Sequence, residues 1–101
     1  MQYISPERLQ EMLSKGEPIH LIDVREGYEH TDFNIGGKLA PLSELFDHLE
    51  NIPRLQPVVI YCKMGVRIQI AIQRLEEKYD FTNLTNLQGG TEAWKKFVSN
   101  R

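Results

Sequence analysis

Cys62 is the only cysteine among 101 residues, and its surroundings suit a reactive thiol. It ends the apolar run Val58-Val59-Ile60-Tyr61 and opens the loop Cys62-Lys63-Met64-Gly65-Val66-Arg67. An amphipathic helical pattern follows at once. A thiol between a strand end and a helix N-terminus is placed where its thiolate is favoured. The first backbone N–H groups of a helix have no partner within it. A curled loop adds more N–H groups, which together form a nest for an anion. Lys63 and Arg67 add two positive charges. The same features suit a bound anion or an extra sulfur atom carried on Cys62. The alternative for a solitary cysteine is an inert, buried small hydrophobe. The flanking Lys, Gly and Arg and the helix start all argue against that.

The elements around the loop follow from residue type and spacing. The apolar run before Cys62 is β-branched and aromatic and does not alternate with polar residues. That pattern predicts a strand covered on both faces, as in a parallel sheet between helices. After the loop, Ile68, Ala71, Ile72, Leu75 and Tyr79 keep the three-four spacing of one helix face. Gly65 is the loop residue best able to take positive φ. Ser5 can cap a first helix with Pro6 at its first position and Gly16 at its end. Strands are expected over residues 19–24, 38–42 and 83–87. A helix capped by Ser43 is expected through Leu45, Phe46 and Leu49, and a last helix over residues 91–98. Strands alternating with helices predict an α/β fold with a largely parallel sheet. Ligands in such sheets bind at the carboxyl ends of the strands, where Cys62 and Arg25 both lie.

Four segments together resemble the rhodanese family. A cysteine, four intervening residues and an arginine, Cys62 to Arg67, match the family's active-site signature. Leu21-Ile22-Asp23-Val24-Arg25-Glu26 is similar to its early strand and Asp-Val-Arg motif. Phe33-Asn34-Ile35-Gly36-Gly37-Lys38-Leu39-Ala40-Pro41 is similar to the turn and short strand that follow. Asn86-Leu87-Gln88-Gly89-Gly90, then Ala93-Trp94, match its C-terminal pattern. The resemblance spans about residues 5–94. It implies a rhodanese-like three-layer fold with a central sheet of about five strands, and one domain over residues 1–101.

The resemblance also implies an activity. A sulfurtransferase would move sulfane sulfur from thiosulfate or a persulfide donor to a thiophilic acceptor, through a persulfide on Cys62. Cys62 and Arg67 would be the catalytic pair. Lys63, Met64, Gly65 and Val66 would line the substrate cradle. Asp23 and Arg25 would support the site from behind. No cofactor and no metal are implied. The partners would be thiosulfate or a protein persulfide as donor, and cyanide, a thiol or a sulfur-carrier protein as acceptor. A module that relays persulfide only to a protein partner is the alternative reading. Phosphatases on this fold have five residues between Cys and Arg, and this loop has four, so its cradle is too small for phosphate. Two positions depart from the usual pattern. Ile68 replaces the Ser or Thr that often follows the arginine, which predicts a less well braced loop and slower turnover. The segment Asn34-Ile35-Gly36-Gly37 replaces the commoner His-Ile-Pro-Gly. It resembles the version in domains fused to enzymes that activate sulfur carriers.

Bulk properties set the remaining bounds. A chain this long buries roughly 65% of the surface its unfolded form exposes, enough for one core. One cysteine allows no internal disulfide, and a free thiol suits a reducing compartment such as the cytoplasm. No signal peptide or membrane span is expected. A net charge of −2 with scattered Lys and Arg leaves no basic footprint for nucleic acid. His20, His30 and His48 share no metal-ligand spacing, and a zinc site is not expected. His30 is expected as an exposed loop residue, Trp94 as a core anchor, and Tyr28, Phe33 and Met64 as an apolar rim.

Overall fold

Four buried residues, Val58–Tyr61, form the central strand of the sheet. In a computed structural model, which describes residues 1–100, the chain runs β1 (Gln2–Ile4), α1 (Pro6–Ser14), β2 (His20–Asp23), α2 (Gly27–Asp32) and β3 (Lys38–Leu39). A 3₁₀ segment (Leu42–Asn51) then leads to β4 (Val58–Tyr61), α3 (Val66–Tyr79), β5 (Leu84–Leu87) and α4 (Gly90–Ser99). The five strands lie in the order β1-β5-β4-β2-β3, and every pairing is parallel.

Successive side chains of a strand point to opposite faces. One face of β4 thus presents Val58 and Ile60, with Cys62 following them, to Ile68, Ala71, Ile72 and Leu75 of α3. The other presents Val59 and Tyr61 to Leu9 of α1 and Trp94 of α4. Both faces being covered explains the unbroken apolar run. The chain leaves β4 towards α3 on one face and leaves β5 towards α4 on the other. The loops after β4 and β5 therefore diverge from neighbouring strand ends, and crevices in parallel sheets form at such points.

Several elements differ from expectation. β1 and α2 have no counterpart in the sequence reading. β1 has three residues, none of them buried, and α2 has six, again none buried. Neither carries an apolar period to read. The segment expected as an α-helix capped by Ser43 is 3₁₀ and starts at Leu42, after Pro41. Its Phe46 faces outward at 70% exposure, stacked obliquely against Tyr79. The short strand ends at Leu39, although Ala40 and Leu42 continue bonding to Asp23 and Val24. Among the described residues no helix is long and apolar enough to cross a membrane.

Candidate active site

The loop after β4 turns because Gly65 adopts φ 115°, a region open to glycine but costly for other residues. No atom would obstruct a Cβ there, so the dihedral alone selects glycine. The turn carries the Gly65 N–H to 3.1 Å from the Cys62 sulfur. Cys62 is 1% exposed, whereas Lys63, Met64 and Val66 lie on the surface around it.

A second glycine fixes the loop from below. Gly90, at the start of α4, has φ 62°. A Cβ there would fall 2.4 Å from the Cys62 carbonyl and 2.6 Å from that of Lys63. The close approach lets two N–H groups of α4 reach the loop. Thr91 donates to the Cys62 carbonyl at 2.8 Å, and Glu92 to that of Lys63 at 3.1 Å. These are helix-start donors with no partner in their own helix.

Arg67 does not turn back onto the loop. Its guanidinium forks onto Glu29 of α2, Nη1 to Oε1 at 2.6 Å and Nη2 to Oε2 at 3.0 Å. Glu29 Oε1 also accepts the Glu26 N–H at 3.0 Å and so helps cap α2. Bonding to Arg67 holds the Glu29 carboxyl at about 2, well below its usual 4.5. The same pair raises the Arg67 pKa. Glu29 is the site residue that sequence reasoning missed. It lies 38 positions from Arg67, and only the Glu26-x-x-Glu29 capping pattern could have drawn attention to it.

Behind the loop, Asp23 and Arg25 are both buried. Asp23 Oδ1 accepts from the Arg25 N–H at 3.0 Å and from its Nε at 2.9 Å. Oδ2 accepts from Nη2 at 2.8 Å. Arg25 Nη2 also donates to the Phe33 carbonyl. Burial works against the Arg25 charge, but the bonds to Asp23 outweigh it and leave the Arg25 pKa raised. His30 Nδ1 lies 2.8 Å from Asp23 Oδ2. It is a partly buried residue of α2, not an exposed loop histidine. Two ties, Arg67–Glu29 and Asp23–His30, thus hold α2 over the strand ends.

Ile68 explains its departure from the usual hydroxyl. It is fully buried in the core under α3. The contacts that brace the loop are those from Thr91, Glu92 and Glu29.

Two concavities flank the loop. A cleft of about 390 Å³ is lined by Arg25, Tyr28, Glu29, Asp32, Phe33, Lys63, Thr91, Glu92 and Lys95. A smaller groove of about 260 Å³ contains Tyr3, Met64, Gly65, Val66, Gln69, Asn86, Gln88 and Gly89. The structure therefore divides the expected cradle. Lys63 borders the charged cleft, and Met64, Gly65 and Val66 border the uncharged groove. Tyr28 and Phe33 share the cleft, but Met64 is not part of their rim.

The model of the rhodanese-like domain matches residues 5–97. The chain belongs to the rhodanese family. It is 36% identical over 96 residues to a probable adenylyltransferase/sulfurtransferase, MoeZ, of Mycobacterium tuberculosis. That match covers 92% of this chain but only 24% of the relative, so the chain spans about a quarter of that protein. It is 31% identical over 84 residues to the thiosulfate sulfurtransferase GlpE of Coxiella burnetii, covering 82% of this chain and 78% of that one. The crystal structure of a rhodanese-like domain protein from Staphylococcus aureus superposes with a TM-score of 0.83 at 27% identity. That match covers 93% of this chain and 91% of the other. The rhodanese fold thus accounts for the five-stranded parallel sheet.

Proposed function

We propose that this rhodanese domain, acting as one unit over its 101 residues, transfers sulfane sulfur through a persulfide on Cys62. The Cys62 thiolate attacks the outer sulfur of thiosulfate or of another persulfide. A bond forms from Sγ to that sulfur, and the donor leaves with the electron pair of its broken bond. The product, an anionic persulfide, needs hydrogen-bond donors aimed at the sulfur. The Gly65 N–H, 3.1 Å from Sγ, is the observation that carries this reading. Sulfurtransferase-named relatives support it. An acceptor then removes the sulfur and returns Cys62 to its thiol, which is two-step covalent catalysis. Lys63, exposed on the loop next to Cys62, supplies positive charge for an anionic donor. Arg67 acts through Glu29, setting α2 against the loop. A relay to a protein acceptor is favoured by exposed Tyr3, Met64 and Val66 beside the loop.

Intact mass spectrometry tests the proposal. Thiosulfate should add one sulfur to the protein, cyanide should remove it, and Cys62→Ala should abolish both. Full transfer by the Ala variant would overturn the assignment. A persulfide that discharges to a protein thiol but not to cyanide would favour the relay.

A further inference from the structure

The two glycines at the start of α4 share a backbone conformation but not a neighbourhood. Gly89 and Gly90 have φ 77° and 62°. A Cβ on Gly89 would meet Ala93 Cβ at 2.5 Å, within its own helix. A Cβ on Gly90 would meet the Cys62 carbonyl oxygen at 2.4 Å and that of Lys63 at 2.6 Å, both in the loop after β4. Those two carbonyls accept the Thr91 and Glu92 N–H groups. α4 packs through Trp94 on the Val59 and Tyr61 face of the sheet, whereas Cys62 lies with Ile68 and the other α3 residues on the opposite face. Both carbonyls therefore point away from the α3 side. In a trans peptide the N–H points opposite to the C=O, and no peptide bond among the described residues is cis. The N–H groups that share a peptide with these carbonyls are those of Lys63 and Met64. Both are thus turned to the α3 side, where the Gly65 N–H already meets Sγ. Neither has a hydrogen-bond partner among the described residues.

We propose that Gly90 is a positioning residue for sulfur transfer. Its missing side chain lets α4 grip two loop carbonyls, and that grip aims the Lys63 and Met64 N–H groups at the sulfur side of Cys62. The consequence for transfer rests on the persulfide reading of Cys62, whereas the aim of the amides is a property of the fold alone. Gly90 itself touches no substrate. Ordinary C···O contacts begin at about 3.3 Å, so a methyl group at position 90 forces α4 and the loop apart by about 1 Å. The two bonds from α4 then stretch beyond hydrogen-bonding distance, and the loop peptides lose what fixes their rotation. Charge arriving on the sulfur meets donors that must first reorient, instead of donors already in place. Lys63 keeps its charge, so attraction of an anionic donor survives. The loss falls on the chemical step.

Gly90→Ala and Gly89→Ala in the full chain separate the loop contact from backbone strain, since both put a side chain at positive φ. Sulfur uptake from thiosulfate is followed by intact mass and corrected for the folded fraction. Its rate constant should fall about tenfold to a hundredfold in Gly90→Ala, with KM little changed. Gly89→Ala should keep most of its rate. Amide NMR supplies a readout that a merely structural role would not move. In the wild type the Lys63, Met64 and Gly65 amide protons should shift downfield when sulfur is added, as donors to an anion do. The three shifts should shrink together in Gly90→Ala and remain in Gly89→Ala. If Gly90→Ala does not fold, an ester in place of the Gly90–Thr91 amide removes the donated N–H without added bulk. The full chain with that ester is assembled by ligation at Cys62, its sole cysteine. Loss of that one hydrogen bond should slow uptake about fivefold. Equal losses in the two glycine variants, or wild-type amide shifts in Gly90→Ala or the ester protein, would overturn the proposal. A wild-type protein that takes up no sulfur would overturn the persulfide reading instead. The aim of the amides is then read in the thiol form, through the Gly65 amide proton bonded to Sγ. That proton should move upfield in Gly90→Ala and hold in Gly89→Ala, and no movement in Gly90→Ala would overturn the positioning role as well.

Discussion

Two arginines that follow strand ends, Arg25 after β2 and Arg67 after β4, are each forked onto a carboxylate, yet they sit in different surroundings. Arg25 and Asp23 are 4% and 0% exposed, and the pair lies within one segment of chain. Arg67 and Glu29 are 30% and 15% exposed, and the pair joins two elements. A buried pair is costly to break, because the survivor is left charged and away from water. A half-covered pair is cheaper to break and sensitive to conditions. The first is thus suited to holding the end of β2, and the second to setting where α2 stands relative to the loop.

The largest expected effect comes from breaking the buried pair. Asp23→Ala strands the Arg25 guanidinium and removes the partner of His30. The expected loss of stability is about 3–5 kcal/mol. Urea unfolding should show it as a lower midpoint. A loss no larger than that of an exposed pair would mean that Arg25 finds another partner and that the contrast drawn from burial is wrong.

Breaking the half-covered pair should cost less in stability and more in function per unit stability. Glu29→Ala and Arg67→Ala should each destabilise by about 1–2 kcal/mol. A double-mutant cycle should return a coupling of about 1 kcal/mol, because the two act as one contact. Both variants should slow persulfide formation on Cys62 in the fraction that remains folded. Full activity in either variant would reduce the pair to a surface tie with no bearing on the loop.

The contrast also marks where the sequence could be read. Asp23 and Arg25 were visible because they are two positions apart after an apolar run. The central strand, α3 and the Cys62 loop were visible because burial on one or both faces leaves a period or a run. Glu29 was not visible, since its partner comes from a different element and only folding joins them. α2 buries none of its six residues and β1 none of its three, so hydrophobic pattern had nothing to report. The same lack of pattern makes His30 look like an exposed loop residue, although it lies in α2 and is partly buried. The Leu42–Asn51 segment carries a helical apolar pattern, but the chain enters it from Pro41, and Leu42 is tied back to Val24. The backbone there is 3₁₀, a difference that side-chain spacing over one short segment does not resolve.

The smallest predicted effect is the pH dependence of the half-covered pair. Glu29 titrates at about 2 in the folded protein, against 4.5 for the unpaired group. Its folded value is depressed, so the stabilisation from its charge is complete above 4.5. It drains as pH falls through the window down to about 2. Glu29→Gln isolates this term, because the amide oxygen can still accept the Glu26 N–H and keep α2 capped. The stability gap between wild type and this variant should be roughly 1–2 kcal/mol at pH 7, after allowance for the water that reaches Arg67. It should hold steady down to about pH 5, narrow below 4.5 and nearly close by about 2. Urea midpoints at several pH values would trace the curve. A gap that stays constant into acid would show that the Glu29 charge contributes nothing to the fold and that the Arg67 contact persists without it. A gap that widens as pH falls would reverse the sign of the linkage and remove the ion pair as its cause.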